Sequence, residues 1–440
     1  MRQRRGPASA GPRAAPPTGG SPQPLRAWAE ALAAAAAGLV TMLVVALLGL
    51  WAAGAADLPG GAFPPVVAAV VVIAAGGSVE LSGGAGALVE ADAAADAVPL
   101  SVTLAGALVT AAVFLLPLRH RAVATTRELL GRVARTAVCW LVLLLLPALA
   151  ARHSFPISVG NGIADELGQE LGATPTVGFR ADVPATLGLG LLWVLAVLAL
   201  TFLVSRRAPL SSRLLRFQHA VRPPAFAMLA TLLAYAVIGL IAAIVVLLTK
   251  GHPAETLAVI FLGLPNLAWM ALGIGTGGAW TGHVDKTIGL PMPHVLDQVL
   301  RTRGGERTLD LGSIAEYDGR AWLLVAVAAV VLWTAAFTAA VRSPARLPAW
   351  RHALEMAAAL ALTLLVVGLL TRISAHYGLS LIGVGDLGGP GGEVFLRPEL
   401  PRLVGAGAVG GLATGFLGSL AARRVRHPGE VRDAGEVPPR

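Results

Sequence analysis

The chain has 440 residues, of which 55% are hydrophobic and 13% charged, with mean hydropathy +0.72. A soluble domain carries about 25% charge, so this composition excludes one and points to a membrane protein. The formal charge of +9 and the pI of 10.9 would suit a nucleic-acid binder only if the basic residues were clustered on one soluble surface, and they are not.

Residues 1–27 are rich in Pro, Gly, Ala and Arg, and are expected to be a disordered cytoplasmic N-terminus. Residues 31–54 are the first of a series of apolar windows long enough to cross the hydrocarbon core as helices. The others are 98–118, 136–151, 185–204, 224–249, 321–341, 352–371 and 403–421, which makes eight spans. A secretory signal is the competing reading of residues 1–56, but 31–54 are longer than a signal-peptide core and have a counterpart in the second half, so a span is expected there rather than a cleaved leader. Cys139, the single cysteine, lies inside a span and leaves no partner for an internal disulfide.

Two shorter segments break the series. "FPPVVAAVVVIAAGG" (63–77) and "LPNLAWMALGIGTGG" (264–278) both carry Pro in second place and close on Gly-Gly. A helix over 62–76 is only about 22 Å long, too short to cross comfortably, so the reading is a re-entrant segment. "RADVPATLGLG" (180–190) and "RPELPRLVGAG" (397–407) match in Arg, Pro and two glycines, and double arginines follow at 206–207 and 423–424. The expected fold is therefore an all-α membrane protein of two parallel four-helix repeats, each with one re-entrant segment. Its repeats are 28–207 and 224–424, joined by an amphipathic linker at 208–223 that lies on the membrane surface, with a cytoplasmic tail at 425–440. An even number of spans per repeat gives both halves one orientation, related by a twofold axis along the membrane normal.

Charge placement sets the sidedness. With this topology 23 basic residues fall on the cytoplasmic side and 11 outside, whereas letting both short segments span gives 16 against 18. Residues 256–278 are apolar enough to cross alone, and charge does not decide whether they span or re-enter.

"LPGGAFPPVVAAVVVIAAGGSVELSGGAGAL", "ATPTVGFRADVPATLG", "GLPMPHVLD" and "RISAHYGLSLIGVGDLGG" resemble the streptophobe family, hydrophobic multi-pass proteins of Streptomyces and related actinobacteria. The resemblance implies a cytoplasmic-membrane protein and brings no activity or catalytic residue with it.

Candidate sites follow from the irregular segments. Backbone freed by Pro64, Gly76, Gly77, Pro265, Gly277 and Gly278, with the amide of Asn266, would suit a pathway or solute site between the repeats. The bland reading is that these residues end short packing helices. Arg180, Asp182, Arg397 and Glu399 would form a charged outer mouth, or else serve as helix starters and interfacial anchors. Glu355, the sole acid inside a span, is expected to pair with Arg351 one turn earlier. The histidines at 153, 252, 283, 294 and 376, with Asp386, lack metal-site spacing. Neither a catalytic constellation nor a cofactor or metal motif is present, so the chain reads as a non-enzyme whose partners are the lipid bilayer and a small solute or envelope protein. Transport or permeation is the first functional reading and a non-catalytic scaffold or cell-envelope assembly factor the alternative.

Overall fold

The computed structural model describes residues 24–84, 89–117, 126–156, 176–205, 212–284, 307–343, 348–381, 385–386 and 392–424. Residues 1–23 of the expected disordered N-terminus and the cytoplasmic tail fall outside them, while 24–27 are helical rather than disordered.

The membrane part is helical. Helices α1 (Pro24–Ala52), α4 (Thr126–Ala150), α5 (Val183–Val204), α6 (Ser212–Thr249), α10 (Trp322–Arg342), α11 (Ala349–Leu370) and α12 (Leu400–Ala422) supply seven helices long and apolar enough to span a bilayer. The eighth expected span is α3 (Leu100–Leu115), which at 16 residues is about 24 Å long. Shorter helices are α2 (Phe63–Ala74), α7 (Pro253–Leu262), α8 (Leu264–Gly275) and α9 (Leu311–Tyr317). Helices α7 and α8 meet at a 76° bend at Gly263, where Pro265 removes a backbone donor.

The described part of the expected surface linker, 212–223, is continuous with the following span. Among the described residues its sequence is the first part of α6, which runs through Pro223 and Pro224 into the span. A proline pair costs helix hydrogen bonds without forcing a stop when the flanking turns are packed.

Outside the helices the structure adds strands that the all-α reading did not include. Strands β1 (Val79–Gly84), β2 (Val89–Ala97), β3 (Arg152–Pro156), β4 (Thr176–Ala181), β5 (Trp280–Val284), β6 (Arg307–Leu309), β7 (Ile373–Leu381), β8 (Gly385–Asp386) and β9 (Gly392–Pro398) form one antiparallel sheet. Its order is β3-β4-β1-β2-β7-β9-β5-β6, with β8 on β7. These strands come from the segments between spans, and "VELSGG" and "VEADAAADA" are mostly Gly, Ala, Asp and Glu, residues depleted in strands. They pair because the spans bring them side by side.

The sheet defines one pole. Helices α3, α5 and α12 leave it directly after β2, β4 and β9, and α4 and α11 run into β3 and β7. At the opposite pole Arg132 of α4 is buried, with its guanidinium 4.9 Å from the Phe114 ring of α3 and 3.3 Å from Glu30 of α1. Phe114 also meets Phe202 of α5 edge-on at 5.5 Å. Helix α3 therefore runs from the sheet pole to the distal pole, although it is short.

Neither irregular segment reaches the distal pole at its ends. The turn before α2 sits against His153 of β3, and at its other end the Ala74 carbonyl accepts from Thr103 Oγ1 at 2.8 Å, one turn into α3. Helix α7 follows the sheet-side end of α6, and α8 leads into β5.

The two halves pack alike. In the first, α1 packs on α2, α3 and α4, α4 on α2 and α5, and α3 on α5. In the second, α6 packs on α8, α10 and α11, α11 on α8 and α12, and α10 on α12. The strand order β3-β4-β1-β2 is followed by β7-β9-β5-β6. Contact between the halves is one-sided: α1, α3, α5 and β2 of the first meet α6, α7, α8 and β7 of the second. A twofold axis would generate a second such seam from β3, α1 and α2 against β6, α10 and α12. Those elements form no comparable seam among the described residues.

Close backbone packing joins α11 and α12. Gly407, Gly411 and Gly415 recur every four residues on one face of α12, against Ala361, Ala357 and Ala353 of the antiparallel α11. A Cβ built on Gly411 would lie 2.6 Å from the Ala357 Cα. Across the bundle, Gly418 faces the Ala336 backbone of α10 at 2.9 Å.

Candidate functional site

The seam between the halves is where the sequence placed a solute site, and its polar groups are engaged with each other. The bend between α7 and α8 leaves backbone groups without helical partners. Ser101, in the first turn of α3, donates from Oγ to the Ile260 carbonyl at 2.8 Å and accepts from the Leu264 N–H at 3.2 Å. Asn266 returns the service: its Oδ1 accepts from the Leu100 N–H at 3.1 Å and its Nδ2 donates to the Val98 carbonyl at 2.9 Å. Four hydrogen bonds thus join the broken helix of one half to the start of α3 in the other. Asn266 is an N-terminal cap supplied from outside its own helix.

The paired glycines also have local work. After α2, the Gly77 N–H donates to the Val72 carbonyl at 2.9 Å and the Gly76 N–H to Ile73 at 2.9 Å, with Gly76 at φ 89°. After α8, the Gly278 N–H donates to Gly273 at 2.8 Å and the Gly277 N–H to Ile274 at 2.9 Å, with Gly277 at φ 101°. Each is a Schellman C-cap, so these glycines close their helices. Pro64 and Pro265 occupy the first turns of α2 and α8, the first exposed and the second buried. The glycine pairs do not converge: Gly76 and Gly77 lie against Leu189 and Thr186 of α5, and Gly277 and Gly278 against Ala406 and Leu403 of α12. Replacing Gly76 or Gly277 by Ala is expected to cost about 1 kcal/mol each, through the left-handed backbone alone. Thermal unfolding of the detergent-solubilised variants measures it.

The four mouth charges divide into two unlike groups. Asp182 caps α5, accepting from the Ala185 N–H at 3.1 Å. Arg180 is exposed on β4, in register between Arg152 of β3 and Glu80 of β1. Glu399 precedes α12 without capping it. It accepts from Thr281 Oγ1 at 3.3 Å and faces Arg402 at 3.9 Å. Arg397 lies over its own strand neighbour Phe395, 4.7 Å from the ring centroid. Since β4 and β9 are four strand spacings apart in the sheet, the two groups are separated by about 19 Å along it. They do not form a single mouth.

Arg402 is the residue that sequence reasoning missed. Its guanidinium donates from Nε to the Gly277 carbonyl at 3.3 Å and from a terminal nitrogen to Asp310 Oδ2 at 3.0 Å, tying α9 to the start of α12. In the eleven-residue match Arg402 stands opposite Ala185, so similarity between the halves could not reveal it. Asp310 forms a capping box with Ser313, a signal that the stretch "DLGS" does carry. The Ser313 backbone N–H holds the Asp310 carboxyl below its ordinary range, helped by Arg402 and opposed by partial burial.

A depressed carboxyl contributes stability above its unfolded value of about 3.9 and loses it as pH falls through the folded value. Protection of the Ser313 amide, corrected for intrinsic exchange, should therefore hold steady from pH 7 to 5 and fall in the acid range below the unfolded value. In Asp310→Asn that pH response should vanish.

The remaining candidates stay apart. Glu355 is half-buried on α11 and, among the described residues, makes no ion pair with Arg351. His153 and His283 lie beside Phe179 and Phe395, with ring centroids 6.5 and 6.2 Å apart. No group of three metal-ligating side chains occurs among the described residues. His294 lies outside them.

Fold and site together define a multi-helix membrane protein capped by a sheet. No protein-family profile, curated protein or solved structure matches the chain.

Proposed function

We propose that the chain is a non-catalytic scaffold or assembly factor of the cell envelope, held in the cytoplasmic membrane with both termini inside and its sheet outside. Its two halves are duplicated four-helix units of one orientation, and α2 and the α7–α8 pair are re-entrant. The matched packing and strand order support duplication. The return of both short segments to the sheet pole supports re-entry, and the bias of basic residues supports the sidedness. The streptophobe resemblance belongs to this proposal and lends it no activity.

The observation that carries the scaffold reading over transport is the state of the seam. A solute pathway there needs Asn266 and the adjoining backbone free to face a solute, and both ends of the Asn266 amide are committed to α3. Above the seam, β2 and β7 pair through nine consecutive positions, Val89 with Leu381 to Ala97 with Ile373, so the sheet continues across both halves.

A photocrosslinking residue at Tyr317, 51% exposed on α9, should give an adduct with one envelope protein in cells, while the same residue at Val409, 68% exposed on α12, should not. Proteoliposomes should show no ion or small-solute flux. Flux that Asn266→Ala abolishes would return the transport reading.

A further inference from the structure

The one-sided seam leaves each half with a surface that the other half already uses. Residues 24–78 and 225–279 align without a gap: Gly38 with Gly239, Pro64 with Pro265, Gly76 with Gly277 and Gly77 with Gly278. In the internal seam Gly49, near the sheet-side end of α1, takes the α7 residues Phe261 and Leu262, with Cβ-to-side-chain approaches of 3.0 and 2.6 Å, and Ala258 one turn back is buried. The counterpart of α7 is the stretch 52–61, whose two 3-10 turns, Ala55–Asp57 and Pro59–Gly61, contain no buried residue. The counterpart of the sheet-side end of α1 is that of α6, where Ile241, Val245 and Leu248 are 58, 54 and 78% exposed. The sheet, too, ends on the unpaired strands β3 and β6 among the described residues.

We infer that a second copy of this chain supplies the missing seam, the turns at 55–61 of each copy docking on α6 of the other. The inference rests on the duplication proposed above and extends it. A head-to-tail contact between equivalent units either runs on or closes into a ring. Two copies, each with one seam already made internally, form a ring of four halves with two new seams of the same kind.

Charge agrees with this occupant. The alignment replaces Gly49 by Lys250 and Ala258, one turn before the Leu262 that meets Gly49, by Asp57, so that the external seam would set a cation and an anion about one helical turn apart. Lys250 and Asp57 are both exposed in the single chain. Lipid alone would cover α6 but gives no reason for opposite charges at these two matched positions.

The test uses the full chain in native membranes on a Cys139→Ala background. Lys250→Cys combined with Gly61→Cys, the counterparts of Gly49 and Leu262, should give a disulfide-linked dimer on mild oxidation, and neither single cysteine should. Gly49→Cys with Leu262→Cys should form within one chain and reports the internal seam. If that internal bond forms while the first pair yields only monomer, the second copy is ruled out and the duplication stands. If the internal bond also fails, the seam itself is misread.

A variant that needs no new bond checks the same point. Lys250→Asp should weaken the dimer, counted by native mass spectrometry, by about ten-fold over its two seams. Lys250→Asp with Asp57→Lys should restore it. Wild-type protein that is monomeric in nanodiscs overturns the proposal.

Discussion

Gly411→Leu is expected to lose about 3 kcal/mol of stability, the upper end of the overpacking range. The reason is that its neighbours are backbone, which cannot swing away: a Cβ at 411 would lie 2.6 Å from both the Ala357 Cα and the Met356 carbonyl oxygen. In a membrane the helices gain little by hiding apolar surface from lipid that is equally apolar, so close van der Waals approach is what holds α11 to α12. Even Gly411→Ala must push the helices apart, and the displacement is shared with Gly407 and Gly415, whose built Cβ atoms both meet α11 backbone at 2.9 Å. Gly405 is the control: it lies on the same helix with nothing within 4 Å of its Cβ position. Gly405→Ala removes only the conformational freedom of glycine and should leave the protein unchanged or slightly more stable. Opposite signs from two glycines six positions apart, measured by thermal unfolding in detergent, separate packing from composition. Equal effects would mean that α12 does not pack through that face.

The span helices were legible because the signal is simple: about 20 apolar residues without charge specify a membrane helix, and α5, α10 and α12 begin and end within three residues of the expected windows. The sheet was not legible. Its strands are at most nine residues long, β1 and β2 are rich in Gly, Ala and acids, and "VEADAAADA" shows no apolar alternation strong enough to be read as a strand. Their pairing depends on which helix ends lie side by side, a property of the assembled bundle. The site residues divide on the same line. Asp182 as a helix starter and the Pro and Gly positions as helix punctuation follow from local chemistry and stood as one of two readings of those residues, while the partner of Asn266 lies 166 residues away at Leu100. Arg402 escaped for a related reason, since its partners Gly277 and Asp310 come from two other segments.

Asn266→Leu tests the seam most directly, with an expected loss of about 2–4 kcal/mol. Leucine is close to asparagine in size and favours helices, so neither volume nor propensity predicts a large effect. What is lost is chemical: the Leu100 N–H and the Val98 carbonyl at the start of α3 lose their partners in a partly buried place, and unmade bonds there cost more than made ones contribute. Ser101→Ala removes the other two bonds, those to Ile260 and Leu264, from the same seam. Because the two side chains brace the same pair of segments, the double variant should lose less than the sum of the singles, a coupling that a cycle of four unfolding measurements reads directly. The location of the damage is equally specific. Amide exchange should rise at Leu100 and around the α7–α8 bend, while Ser313, held by Asp310 at the other side of the second half, keeps its protection. A uniform rise in exchange would show that Asn266 serves the whole fold. No change at Leu100 would remove the cap from which the closed seam, and with it the scaffold reading, is argued.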